Sequence, residues 1–182
     1  MGDLFITSDT HFGHANIIKY CNRPFKDVDE MDSKIIKNWN ERVKKYDQVI
    51  HLGDFCFKNN IGGKSGEGTI NNFWHYYSKL NGYTTIVKGN HDRNNGTNTK
   101  ITSLIINFSK NDYFMTHRPP QHPLEMPEHI DVCLCGHVHE KWIYKWLNTK
   151  LLINMSVDVH GYYPVKMREV ERLISKIRRN QM

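Results

Sequence analysis

The sequence predicts a mixed α/β sandwich, on three observations. In the first half, short apolar runs of strand length alternate with stretches at helical spacing. From residue 104 to 154, strand-like runs follow one another with only loops between them. An apolar run precedes nearly every member of a set of Asp, Asn and His residues, which places those side chains where strands end and loops begin. Strands interleaved with helices, then a run of strands, indicate layered sheets with helices outside.

The elements follow in order. Residues 5–7 form a short strand that ends at Ser8-Asp9. A helical stretch covers 15–20, and Pro24 marks a turn through Asn22-Arg23-Pro24-Phe25. Residues 29–45 read as a helix, with Met31, Ile35, Trp39, Arg42 and Val43 near one stripe and Asp29 as its cap. Residues 49–52 are a buried strand running into Gly53-Asp54. Residues 58–68, rich in Gly, Asn and Lys, are a loop, either a basic flap over a phosphate site or plain surface. Gly63-Lys64-Ser65 is not a P-loop, because the glycine that opens that motif would fall at Lys58.

A helix is expected over 69–80, stopped by Asn81-Gly82. The strand at 84–87 leads into Lys88-Gly89-Asn90-His91-Asp92. Strands at 104–108 and 113–116 follow, the second ending at His117, and then a Pro-rich loop at 119–127. Residues 131–135 are a strand ending at Gly136-His137, those at 142–145 and 151–154 resemble a meander, and a helix over 167–179 closes the chain.

At 182 residues the chain suits one domain with a full core. No segment has the roughly 18 apolar residues of a membrane span, and the first residues do not read as a signal peptide, so the expected compartment is the cytoplasm. Formal charge is +6, but much of it lies in Lys44, Lys45, Lys176, Arg178 and Arg179, which read as solvated faces. Charge alone therefore does not establish a nucleic-acid partner. Cys133 and Cys135 alternate along one strand and read as core, with no disulfide framework. Trp39 and Trp74 lie on helical stripes and read as core, and Trp142 and Trp146, close after His139, either cover a sandwich edge or stack a base. Eleven histidines exceed what such a chain usually carries, and metal binding would account for several.

Seven residues form a candidate ligand set: Asp9, His11, Asp54, Asn90, His117, His137 and His139. Two divalent ions about 3.5–4 Å apart need a shared oxygen ligand, and the carboxylate of Asp54 suits that role. Asp9 and His11 lie two apart, a spacing that can aim both side chains at one ion after a strand, and His137 and His139, at the same spacing, can reach different ions as the loop turns. The mixed nitrogen and oxygen set fits Mn first, with Fe, Zn, Ni or Co also suited. His91 is not needed as a ligand and is placed to protonate a leaving oxygen, with Asp92 beside it to orient or charge it. A hydroxide held between the ions would be the nucleophile.

The blocks Asp9-Thr10-His11, Gly53-Asp54, Gly89-Asn90-His91-Asp92, His117 and Gly136-His137-Val138-His139 resemble, in that order, those of the calcineurin-like metallophosphoesterase superfamily. The first block, with Cys21-Asn22-Arg23-Pro24-Phe25 and Asn154-Met155-Ser156-Val157-Asp158, is similar to small bacterial and phage phosphoesterases. The resemblance implies a double β-sheet sandwich flanked by helices. It implies a first metal on Asp9, His11, Asp54 and His139, and a second on Asp54, Asn90, His117 and His137. It also implies His91 as proton donor.

Many relatives continue the second block as G-D-x-x-D-R, whereas here Phe55-Cys56-Phe57-Lys58 follows Asp54. The phosphatase carboxylate and arginine are absent, and Arg23, Lys58, Lys64, Arg93 and Arg118 are the candidates to replace that arginine. His14 and Asn16 either touch substrate or cap and pack. The expected activity is hydrolysis of a phosphodiester, in a nucleotide or RNA, by a monomer or homodimer. A phosphomonoesterase, a nucleotide pyrophosphohydrolase and a non-catalytic scaffold are the alternatives.

Overall fold

The computed structural model describes residues 2–57, 72–93 and 95–180. Its strands are β1 (Leu4–Thr7), β2 (Gln48–His51), β3 (Tyr83–Ile86), β4 (Ser103–Phe108), β5 (Asn111–Thr116), β6 (Val132–Cys135), β7 (Tyr144–Leu147), β8 (Lys150–Asn154) and β9 (Val165–Lys166). They form two sheets, ordered β3-β2-β1-β9 and β4-β5-β6-β8-β7. In the first, β1, β2 and β3 are parallel and β9 is antiparallel at the edge. In the second, β5, β6 and β8 are parallel, and β4 and β7 run antiparallel at the two edges.

The alternation of side chains along each strand builds the layers. Ile6 and Ile50 point into a core shared with Met115, Leu134 and Ile153 of the second sheet. Their neighbours Phe5 and Val49 point the other way, onto Trp39 and Val43 at the end of helix α2 (Val28–Arg42). In the second sheet Val132 and Leu134 face the shared core, while Cys133 and Cys135 pack outward on Met126 and Ile130. The thiols are thus core residues, as their spacing predicts. The loop before β6 covers this outer face, with a short 3-10 turn at Pro123–Glu125. Helix α4 (Met167–Arg179) adds Met167, Val170, Ile174 and Ile177 to the shared core.

Several elements differ from expectation for local reasons. Helix α2 starts earlier because Asp27, not Asp29, caps it: its carboxylate accepts from Glu30 N at 2.8 Å. Helix α1 (Ala15–Tyr20) matches its expected span. The helix expected over 69–80 is reduced to α3 (Phe73–Tyr77), and residues 69–71, like the 58–68 loop, lie outside the described residues. Trp74 is not core but 62% exposed, while Trp39 is fully buried. The expected meander is only a hairpin: β7 pairs with β8, but β8 lies parallel to β6 and leaves β7 at the edge. Among the described residues no helix is long and apolar enough to cross a membrane.

Candidate metal centre

Parallel strands present their C-terminal ends to one edge of a sheet, and ligand sites gather there. Asp9 and His11 follow β1, Asp54 follows β2 and Asn90 follows β3. From the second sheet, His117 follows β5, and His137 and His139 follow β6. Backbone bonds join the first two loops, Asp9 N donating to Gly53 O and His11 N to Asp54 O, each at 3.0 Å. Gly53 is required where these loops cross. Its φ is +98°, and a Cβ there would lie 2.7 Å from both Gly89 Cα and His117 Nδ1. Asp9, His11, Asp54, His137 and His139 all have φ between 50° and 71°, in the left-handed region. Non-glycine residues enter it at a cost on the order of 1 kcal/mol, and such strain gathers at functional sites.

The sharp turns bring the side chains together. Ligand atoms of Asp9, His11 and His139 lie within 4.8 Å of one another, as do those of Asp54, His117 and His137. Asp54 Oδ2 stands near both groups, 3.5 Å from His11 Nε2 and 3.3 Å from His117 Nε2. Asn90 Oδ1 lies 3.0 Å from His117 Nε2. Burial raises the Asp54 carboxyl, but the hydrogen bond from His117 and the charges of His11 and His117 outweigh it and hold it well below the usual carboxylate range.

This donor set fits divalent ions. His11 Nε2 is buried without a hydrogen-bond partner. A buried unpaired polar atom costs about 1–3 kcal/mol, which a coordinated cation removes. Burial also holds the His11 pKa well below its ordinary value, so the ring is neutral and able to coordinate. His117 Nδ1 donates to Leu52 O at 2.8 Å, and His139 Nδ1 to Asp158 Oδ2 at 2.9 Å. Each bond fixes the ring and leaves Nε2 for a cation.

Two of the expected roles change. Arg23 does not face a substrate. It is 4% exposed, and its Nε and Nη2 fork onto Asp158 at 2.8 and 3.0 Å. The same guanidinium donates to Thr10 O and Asp9 O at 3.0 and 2.7 Å, so it braces the first ligand loop from behind. Asp92 does not orient the His91 ring. Its carboxylate accepts from Asp54 N, Gly89 N and Phe55 N at 2.8, 2.8 and 3.1 Å, and from Asn95 Nδ2 at 3.0 Å. It ties the second and third ligand loops together.

His91 itself is exposed, belongs to neither group, and lies with its ring centroid 5.3 Å from that of His11. His14 is stacked on Phe57 at 4.3 Å, with Nδ1 3.4 Å from His11 Nδ1 and the exposed Tyr20 ring 6.3 Å away. Arg118 is exposed beside His117 and, with Lys88 and Arg93, lines a cavity of about 330 Å³.

Asp158, Asn95 and His51 were not singled out by role from sequence. His51 accepts from Gly53 N through Nδ1 at 3.2 Å and meets Thr10 Oγ1 through Nε2 at 3.0 Å. Asp158 lies in the 154–158 block that carried the resemblance, the one signal pointing to it.

The description of the calcineurin-like phosphoesterase superfamily domain matches residues 3–155. The chain belongs to this superfamily. A relative, the Methanocaldococcus jannaschii protein MJ1445, is 36% identical over 180 residues, covering 97% of this chain and 93% of that one. The gene 66 protein of Mycobacterium phage L5 is 31% identical over 105 residues, 58% of this chain and 47% of its own length. Among solved structures, AQ665 of Aquifex aeolicus is similar with a TM-score of 0.71 at 24% identity, covering 95% of this chain and all of that one. Yfce, a phosphoesterase from E. coli, gives 0.52 at 15% identity over 84% of this chain and 78% of its own. These two likenesses show the two-sheet fold.

Proposed function

We propose that this superfamily member is a dinuclear metal-dependent hydrolase of phosphodiesters of nucleotide or nucleic-acid type. The position of Asp54 Oδ2 carries the reading: one carboxylate oxygen lies within 3.5 Å of an imidazole from each ligand group, as a bridge between two cations requires. Asp9, His11 and His139 would hold the first ion with Asp54, and Asn90, His117 and His137 the second. When bound, the ions, Mn in the first instance, lower the pKa of water and neutralise charge on phosphoryl oxygens.

The chain's own residues do the rest. His91, exposed at the mouth of the site and outside both groups, donates the proton to the leaving oxygen, a role worth about 10²–10⁴-fold. Its backbone is held by Asp54, whose Oδ1 accepts from His91 N at 2.8 Å. Asp92 keeps the loops of Asp54 and Asn90 in register. The aromatic group of Tyr20, His14 and Phe57 beside His91 favours a leaving group with a flat base.

The test is turnover of bis-p-nitrophenyl phosphate and p-nitrophenyl phosphate after metal stripping and return of Mn²⁺, beside His91→Ala. Diester turnover that drops about 10²–10⁴-fold in the variant, at unchanged metal content, supports the reading. Turnover of the monoester alone would make the protein a phosphomonoesterase. Two bound ions with no turnover of either would sink the diesterase reading and leave a binding role.

A further inference from the structure

We propose that the cleft between Lys88, Arg93 and Arg118 is a second phosphate subsite, and that the substrate carries a further phosphate beside the scissile one. This rests on the phosphoesterase reading for its use, though not for its existence. The cleft has a volume of about 330 Å³, within the lower range of small-ligand sites. Asn90 and His117 form part of its wall, so it adjoins the Asp54–His117–His137 group directly. Thr102 adds a hydroxyl, and among the described residues no Asp or Glu lines it.

Some cations of this protein are matched, Arg23 with Asp158, Arg42 with Glu169 and Lys166 with Asp3. The cavity of about 500 Å³ beside α4 sets Lys110 and Arg178 among Asp112, Asp131 and Glu171. Among the described residues, by contrast, none of Lys88, Arg93 and Arg118 forms an ion pair. Three like charges around one cleft repel one another until an anion enters, and guanidinium groups recognise phosphate by paired hydrogen bonds. The cations come from two connections, Lys88 and Arg93 from the one after β3 and Arg118 from the one after β5. The cleft therefore bridges the two sheets, as the ligand groups do. The further phosphate comes either from the next link of a polynucleotide or from a terminal phosphate of a nucleotide.

The full chain in EDTA, titrated calorimetrically with inorganic pyrophosphate, tests the cleft without metals or turnover. Saturable binding is expected, weakened about tenfold or more in Lys88→Gln/Arg93→Gln and unchanged in Arg172→Gln on α4. Absence of binding by the unsubstituted chain, or equal binding by the double variant, would overturn the subsite. With Mn²⁺ present, kcat/KM for a dinucleotide bearing a 5′-terminal phosphate and for a trinucleotide lacking one is compared with that for a plain dinucleotide. Preference for either, lost in the double variant, supports the subsite and tells which source supplies the phosphate; parity among the three overturns it. If pyrophosphate binds through the cleft but no ester is turned over, the phosphoesterase reading fails and the anion site stands.

Discussion

At the scale of single residues, side chains that touch no substrate are expected to matter as much as some ligands. Asp158 accepts from His139 and from both arms of Arg23, and the Arg23 and Asp158 side chains are nearly buried. Asp158→Asn should weaken the binding of divalent ions about 10–100-fold, read by competition with a chelator. It should also lower stability by about 3–5 kcal/mol, because a buried guanidinium loses its counter-charge. Asp32 offers a test by pH. Burial pushes its carboxyl up to about 7, only partly offset by hydrogen bonds from Gly13 N and Tyr76. The folded state thus holds this proton more tightly than the unfolded chain, where the group titrates near 3.8. Stability should fall as pH rises from about 4 to about 7, by about 2–4 kcal/mol for this group, and Asp32→Asn should flatten that fall in urea titrations. The candidate ligands were legible in sequence because they stand in short local blocks, as in Asp9-x-His11. The roles of Asp158 and Asp92 were not, because their partners lie 135 and 37 residues away.

At the scale of elements, the crossing of the first ligand loops is the most sensitive point. Gly53→Ala would set a methyl 2.7 Å from Gly89 Cα at a φ of +98°, so either the β2 or the β3 loop must shift. A loss of about 2 kcal/mol or more in urea unfolding is expected, with weakened metal binding because Asp54 is the next residue. Helix α4 was legible to the residue: its buried Met167, Val170, Ile174 and Ile177 repeat at helical spacing, and Glu169 reaches back to Lys166 N at 3.3 Å. Strand pairing was legible only in part. The 142–154 segment has the composition of a hairpin, but nothing within it says that β8, rather than β7, lies beside β6. That choice is made by Leu134 and Ile153, which share one core. Trp74 misled for a related reason: helical spacing gives a stripe but not the side of the helix that meets a partner.

At the scale of the molecule, the candidate ligands are divided between the layers: Asp9, His11, Asp54 and Asn90 leave the first sheet, and His117, His137 and His139 the second. Ions bound between them would act as clamps across the sandwich. Mn²⁺ at a hundred times its dissociation constant should therefore add about 2.7 kcal/mol per site, read as a rise in melting temperature over the protein in EDTA. Amide exchange should slow in loops of both sheets together, and protection confined to one sheet would refute the clamp. The left-handed backbone at five of the seven candidate ligands has a further consequence, for descent rather than for chemistry. Glycine would sit at those turns with less strain than the Asp and His found there. A lineage that no longer needed the metals would gain stability by drifting toward glycine at Asp9, His11 or His137. Persistence of the bulkier residues across a lineage would then record selection for the reaction, because folding alone works against them.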